Sequence, residues 1–541
     1  MSATAPASQR WLFGPLPDLL LGCGLLYAAL FAVLVPASGW FQRVTPTFLA
    51  PLLVLLLSAP HYGATLLRVY EQRSERRRYA LFSVWATLAI AALFVAGQHD
   101  AWVGSAVLTV YLIWSPWHYT GQNFGIAAML LRRRGVALDG PARRWLHLSF
   151  TLSFVLAFAV MHESVGWAAS RGLPLDGDRI RFLSLGTPGL LTTLAAVCYA
   201  AVLLVALVLL VRRAALRDLA PGLLLLASQA LWFSAPAAAR HWQLGGDVGP
   251  LAPDLQAGFF VWIAVAHAIQ YLWVTAYYAR ASGSWHGTLP YLGKTFLAGA
   301  AIWTLPVAVF APGVLGGVGY EAGLALLVAA AVNIHHFVLD GAIWKLRDGP
   351  IARVLIRSNV APPDGHDAKR GSWLRRVSWA LAAACGAVAA FVFVAEHFLV
   401  PGAMRAGDRP RAEALLDVLA VVGRDDSRSR GHLGFLAVQA GDVPAAERNI
   451  ERSAELLPSM QGYGALIEVL VSDGRPEEAL PWAERLLAIA PDELQALGLV
   501  AGLYAQTDRL EQARGLLERA RELEARPIQP LPAPDTRSMV Y

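Results

Sequence analysis

The sequence predicts an all-α protein in which about eleven membrane-spanning helices precede an α-solenoid of short helical repeats. Of its 541 residues, 56% are hydrophobic and only 16% are charged, whereas about a quarter of the residues in a soluble domain are charged. Apolar runs of about twenty residues, the length of a transmembrane helix, recur between residues 17 and 399. Beyond residue 400 the composition becomes charged, rich in alanine and periodic.

Arginine placement orients the predicted spans. The spans are 17–36, 46–67, 79–97, 102–131, 145–163, 188–211, 219–237, 257–279, 292–311, 316–344 and 376–399. Basic loops follow the second, fourth and sixth spans, and two more basic stretches lie between the last two spans. Because basic loops remain on the cytoplasmic side of a membrane, the N-terminus is expected inside and the repeats outside. The expected location is a bacterial-type inner membrane, where the protein is multi-pass and surrounded by the lipid bilayer.

The first span is also compatible with a cleaved signal peptide, because the small residues of "VPASG" follow it. Its apolar stretch is long for a signal peptide, so we expect it to be retained. Residues 1–400 then form a multi-span transmembrane domain and residues 401–526 a helical repeat domain. Residues 527–541 form a proline-rich tail that is expected to be disordered.

Four similar segments define the repeats. They are "GDRPRAEA" at 407–414, "GDVPAAER" at 441–448, "DGRPEEAL" at 473–480 and "TDRLEQAR" at 507–514. A period of about 34 residues with a small residue in each helix is the tetratricopeptide pattern, in which stacked helix pairs bury one continuous core. The spacing predicts a lone second helix followed by three repeats. Such repeats bind peptides, hold subunits together or act as spacers, so we expect a protein or peptide partner.

Cysteine usage and charge narrow the function classes. Cys23, Cys198 and Cys385 are scattered through apolar segments, which favours neither a disulfide framework nor a paired-cysteine site. The net charge of +6 comes mostly from loop arginines, which set topology, so no nucleic-acid partner is expected.

Histidines occur inside four predicted spans, where polar groups are costly and usually functional. They are His61, His118, His267 and the adjacent pair His335 and His336. At about 1.5 Å per residue, His61 lies about 10 Å from the basic residue that ends its span, and the others lie about 15–21 Å from theirs. All therefore fall between the middle and the inner half of the bilayer, so they can meet.

Further polar residues share helix faces with these histidines. Spacing of four residues pairs His118 with Gln122, His267 with Tyr271, and His336 with Asp340. His335 points about 100° away from His336, so a regular helix turns only one of them towards a given point. Asn123, Gln270 and Asn333 lie beside these positions, and Pro60 and Pro116 each precede a histidine closely.

Three interpretations fit this cluster. Neutral imidazoles with a carboxylate or a tyrosine suit Fe(II), Zn or Mn, and no thiolate lies nearby to favour copper(I) or an iron–sulfur centre. A set of structural interhelical hydrogen bonds is the second interpretation. A proton or substrate path through a transporter is the third.

The order of the motifs adds a family resemblance. "PHYGAT", "WHYTGQNFG", "AHAIQY" and "HHFVLDG" resemble, in order, the four histidine motifs of the Brp/Blh-type β-carotene dioxygenases. The resemblance implies a non-haem iron that works with dioxygen, held by His61, His118 and His267. The chain departs from that pattern at Tyr271, where the family has a second histidine.

Two further departures place Thr65 and Asn123 where the family has aspartates, whereas His335 is followed five residues later by Asp340, as in the family. With these departures, the resemblance implies a related membrane metal site. Its candidate fourth ligand is Tyr271, His335 or His336. Asp340 is expected to orient a ligand imidazole.

The sequence therefore predicts a membrane oxidoreductase, of non-haem iron oxygenase type, that acts on a lipophilic substrate delivered by the bilayer. Tyr271 and Asp340 are its candidate catalytic residues, and the five histidines are its candidate ligands. The polar residues expected around them are Gln122, Asn123, Gln270 and Asn333. A scaffold or transporter without enzymatic activity is the alternative. A lipid-sugar-dependent glycosyltransferase is disfavoured. Enzymes of that class resemble one another in an acidic residue of the first external loop, and the corresponding loop of this chain, "VPASGWFQRVTPT", has no acidic residue.

Overall fold

The structure is a computed structural model that describes most of the chain. The described residues are 10–34, 44–71, 78–138, 140–163, 180–242, 253–281, 285–344, 351, 353–357 and 373–525. The proline-rich tail, most of the loop "VPASGWFQRVTPT" and parts of the basic loops lie outside them.

Helices account for all the regular structure of the described residues, which contain no strand, so the all-α prediction is confirmed for them. Each of the eleven predicted spans coincides with a helix or a bent pair of helices. In chain order these are α1 (Pro15–Gly22), α2 (Leu25–Leu34), α3 (Leu49–Tyr70), α4 (Leu81–His99), α5 (Ala101–Arg133), α6 (Gly140–Met161), α7 (Gly189–Val211), α8 (Leu216–His241), α9 (Pro253–Ala281), α10 (Thr288–Val309), α11 (Tyr320–Ile343) and α12 (Trp373–Arg405).

Among the described residues, eight of these helices are long and apolar enough to cross a membrane. If α1 and α2 together count as one span, there are nine such spans. Two more, α5 and α9, have 33 and 29 residues and carry His118 and His267. This composition is compatible with a membrane protein. The number of crossings and the orientation stay predictions.

The N-terminal helices pack against the bundle and are hydrogen-bonded to it. Helices α1 and α2 are bent by 63° at their junction, where Gly24 has a φ of 80°. The buried carboxylate of Asp18 accepts hydrogen bonds from the backbone N–H groups of Leu12 and Phe13 and from Trp273 Nε1 at 3.0 Å. A polar group of α1 is thus satisfied by α9, as a buried carboxylate requires.

Helix α3 has a π-helical turn and a proline just before its histidine, and it packs closely on α10. A wide π-helical turn spans Val54–Ser58, directly ahead of Pro60, and both features bend a helix. A Cβ atom added at Gly63 would overlap the carbonyl oxygen of Thr295, and one added at Gly299 would overlap that of Ala59. The two backbones therefore touch through glycines, which fixes the position of His61.

Seven helices form the C-terminal solenoid. They are α13 (Arg409–Val421), α14 (Ser427–Gln439), α15 (Val443–Leu456), α16 (Met460–Ser472), α17 (Leu480–Ile489), α18 (Leu494–Gln506) and α19 (Leu510–Ala525). The repeated Gly in the sequence pattern has a positive φ at 407, 441 and 474. Asp508 takes the same conformation at the fourth position, the only residue other than glycine to do so among the described ones. This left-handed residue ends a helix in each repeat.

The predicted lone helix has a partner. The boundary at residue 400 lies inside α12, whose end shares a buried cluster with α13. Ala395, Val400 and Ala403 of α12 pack in that cluster against Leu416 and Leu419. The last apolar helix therefore continues directly into the solenoid.

Candidate metal centre

Four helices bring four imidazoles together in the middle of the bundle. His61 lies on α3, His118 on α5, His267 on α9 and His336 on α11. The ring centre of His61 lies 4.2 Å from that of His336 and 4.9 Å from that of His267. The ring centre of His118 lies 5.0 Å from those of His267 and His336. These spacings make the four side chains one compact cluster.

Potential ligand atoms converge in two overlapping groups. One nitrogen atom each from His61, His267 and His336 lie within 4.8 Å of one another. The ligand atoms of His118, His336 and Asp340 do the same. Nitrogen ligands about 2.1 Å from a tetrahedral zinc ion are about 3.4 Å apart. Within each group, small side-chain movements would therefore bring three ligand atoms to distances that suit an ion.

Several buried ring nitrogens of the cluster lack hydrogen-bond partners within the described ranges. Nε2 of His61, His118 and His336, and both ring nitrogens of His267, have no hydrogen-bond partner among the described residues. The rings themselves are buried, with His61 at 3%, His267 at 1% and His336 at 2% exposure. Each buried polar group left unsatisfied costs about 1–3 kcal/mol. A metal ion would engage one nitrogen of each ring and remove most of that cost, so these residues fit a metal ion.

A carboxylate completes one side of the cluster. Asp340 Oδ2 lies 3.4 Å from His336 Nε2 and 3.7 Å from His118 Nε2. Asp340 Oδ1 accepts hydrogen bonds from the Tyr271 hydroxyl at 2.6 Å and from Thr65 Oγ1 at 3.0 Å. One oxygen is thus held by hydroxyl groups while the other faces the imidazoles.

Thr65 determines which ring nitrogen of His336 carries the proton. Its oxygen lies 3.0 Å from His336 Nδ1. Because the single hydroxyl proton of Thr65 is donated to Asp340, Thr65 accepts a hydrogen bond from Nδ1–H of His336. That tautomer, assigned from the hydrogen-bond network, leaves a lone pair on Nε2, the atom that faces the cluster.

The helix turns His335 away from this cluster. Its Nε2 atom lies 3.0 Å from Thr87 Oγ1 and 3.4 Å from the Tyr70 hydroxyl. Of the adjacent pair, His336 is therefore the residue that joins the other histidines and Asp340. His336 also lies four residues before Asp340, so the two side chains share a helix face.

The predicted polar residues fall into separate sets. Gln122 Nε2 donates to the backbone carbonyl of His267 at 3.3 Å and to Gln270 Oε1 at 3.1 Å, next to the cluster. Asn333 Oδ1 accepts from the Tyr62 hydroxyl at 2.7 Å, and the Tyr62 ring borders His61. Asn123 instead donates to Gln229 Oε1 at 3.0 Å, in a different network.

Three residues that contact the cluster or its partners have no role assigned from the sequence. Thr65 follows His61 by four residues, a spacing that could have identified it. The Tyr119 ring stacks on His267 with ring centres 4.0 Å apart. Trp344 Nε1 donates to the Tyr271 hydroxyl at 3.0 Å. These contacts run between different helices, so no local pattern reveals the last two.

Comparison with known proteins identifies one part of the chain. A tetratricopeptide repeat family model matches residues 470–529. The C-terminal region therefore contains a tetratricopeptide repeat, as the spacing of its segments predicts. A search among curated proteins finds no significant match. The resemblance to Brp/Blh-type dioxygenases rests on the histidine motifs alone.

Proposed function

We propose that the protein is an integral membrane oxidoreductase that holds one first-row metal ion, iron or else zinc or manganese, among His61, His118, His267 and His336. The observation that carries this proposal is the convergence of four buried imidazoles from four helices, with nitrogens that have no other described partner. Buried polar groups are almost always hydrogen-bonded. Imidazole and carboxylate ligands suit these divalent ions.

The surrounding residues give the site its orientation. Thr65 holds the His336 tautomer that leaves Nε2 free, and Tyr271 with Thr65 holds one oxygen of Asp340. The other oxygen faces the cluster, where it can bind the ion or accept a proton from a bound molecule. A bound ion would supply Lewis acidity or, as Fe(II), redox chemistry with dioxygen.

The rest of the chain supports a membrane setting and a protein partner. Helices long and apolar enough to cross a membrane surround the site, which favours a lipophilic substrate. The tetratricopeptide region supports a protein-interaction role, and such repeats present extended binding surfaces. We place this region outside the cytoplasm, at an inner membrane of bacterial type, from the distribution of arginine in the loops.

Metal analysis of purified variants tests the proposal. Wild-type protein should carry about one equivalent of a first-row ion, and His336→Ala should lose at least about tenfold in metal affinity. His335→Ala is the matched control, because it removes a neighbouring buried imidazole that lies outside the cluster. His61→Ala, His118→Ala and His267→Ala should behave like His336→Ala.

The structural alternative predicts a different result. A network of interhelical hydrogen bonds requires no stoichiometric ion, and each substitution would cost only about 0.6 kcal/mol in stability. Folded wild-type protein that binds no ion, or equal metal retention in His335→Ala and His336→Ala, would overturn the proposal.

A further inference from the structure

A cavity of about 350 Å³ lies beside the candidate metal centre, between α5 and α11. His118, Tyr271 and Asp340 line its inner end, and Trp114, Trp117, Phe337 and Trp344 line its walls. Its volume falls in the range of small-molecule binding pockets. The imidazole cluster therefore borders a chamber with several aromatic residues in its walls.

Three glycines open this cavity. Gly121 and Gly125 lie one turn apart on α5, and Gly341 faces them from α11 as part of the same lining. A Cβ atom added at any of the three would have no atom within 4 Å, so the space beside each is empty. Gly121 and the adjacent Trp117, which is 43% exposed, bring the cavity to the surface of the bundle.

The opening lies on the side of the helices rather than at their ends. Gly121 is about 18 Å from the end of α5 at Arg133, which is near the middle of a membrane about 30 Å thick. A molecule can thus reach the cavity from the hydrocarbon layer without crossing water.

The lining defines what can bind. Among the described lining residues Asp340 is the one acidic residue, and it lies at the inner end. The described part of the lining contains no lysine or arginine that could pair with an anionic head group. At the inner end, the side chain of His118 is 10% exposed, and its Nε2 has no hydrogen-bond partner in the described part of the chain. The chamber thus suits an apolar chain with a single neutral polar group at one end.

We infer that this cavity binds one single-chain neutral lipid, which enters sideways between α5 and α11 and places its polar end beside His118 and Asp340. The role of that end as the reacting group rests on the proposed function. The binding of the lipid itself does not need the metal.

Photolabelling can test this inference. A diazirine-bearing hexadecanol is added to the full-length protein in lipid nanodiscs, and the labelled peptides are located by mass spectrometry. Label should concentrate on residues 114–129 and 337–344, and unlabelled hexadecanol should compete for it. Gly121→Leu fills the opening and should lower this labelling about tenfold. Gly125→Leu, which projects into the same cavity, should do likewise.

Gly293→Leu is the matched control. Gly293 also has no atom within 4 Å of an added Cβ, but it lies on α10, away from the cavity. Labelling that spreads evenly over exposed helices, that does not saturate, or that persists in both cavity variants would overturn the inference. Saturable labelling of these segments in protein that binds no metal would support the inference and contradict the proposed function alone.

Discussion

Replacing Thr65 by valine should weaken metal binding without disturbing the packing of α3. Valine has nearly the shape of threonine but lacks the hydroxyl, and Thr65 is 1% exposed. The substitution removes the hydrogen bond to Asp340 Oδ1 and the acceptor for His336 Nδ1–H, both at 3.0 Å, together with a contact to the Tyr271 hydroxyl at 2.6 Å. Tyr271 keeps its hydrogen bonds with Asp340 and Trp344. Asp340 keeps its hydrogen bond from Tyr271 at 2.6 Å, so the main loss falls on His336.

The size of the effect follows from that loss. A buried N–H group without an acceptor costs about 1–3 kcal/mol. The imidazole can avoid this cost by moving its proton to Nε2, but that tautomer has no lone pair to offer an ion at the cluster. Either way the affinity for the metal should fall about 10–100-fold, the range typical of residues that orient metal ligands.

A chelator competition assay measures this fall directly, with Thr295→Val as the control. Thr295 is 0% exposed, and its hydroxyl donates only within its own helix, to the Leu292 carbonyl at 2.9 Å. Thr295→Val should therefore bind metal like the wild type. Equal affinities in Thr65→Val and the wild type would refute the role assigned to the threonine.

Three more predictions concern the fold. Gly63→Ala should lower the free energy of unfolding by about 1–3 kcal/mol, since the new methyl group overlaps a backbone carbonyl of α10; Gly293→Ala, measured by the same thermal unfolding assay, should not. A fragment of residues 395–525 should be more stable to denaturant than 407–525 by about 1–3 kcal/mol, because it keeps the end of α12 that covers α13; equal stabilities would contradict this packing. A reporter fused after residue 525 should be active only outside the cytoplasm, and activity of a cytoplasm-only reporter would mean that the orientation is wrong.

Periodic features of the fold were predictable from the sequence. Apolar runs located the long helices because a helix of this kind needs about twenty consecutive apolar residues. The recurring Gly407, Gly441 and Gly474 located the repeats, because each occupies a left-handed position that ends a helix. The junction at α12 was not predictable, because the helix runs past the change of composition at residue 400 and ends only at Arg405.

The site was predictable only as a set of candidates. Depth along each helix brought His61, His118 and His267 to one level, but depth does not give the rotation of a helix about its axis. The choice between His335 and His336 depends on that rotation, which packing against α3 and α4 decides. Trp344 and Tyr119 contact the cluster across helices, so their proximity depends on tertiary structure.

X-ray absorption spectroscopy of the metal-loaded protein identifies the atoms that bind the ion. Imidazole nitrogens, with or without one carboxylate oxygen, should surround it at about 2.1 Å. The imidazole contribution should fall in His336→Ala and remain unchanged in His335→Ala. A sulfur ligand, a shell of water oxygens alone, or a spectrum that His336→Ala leaves unchanged would contradict a metal centre built from these four histidines.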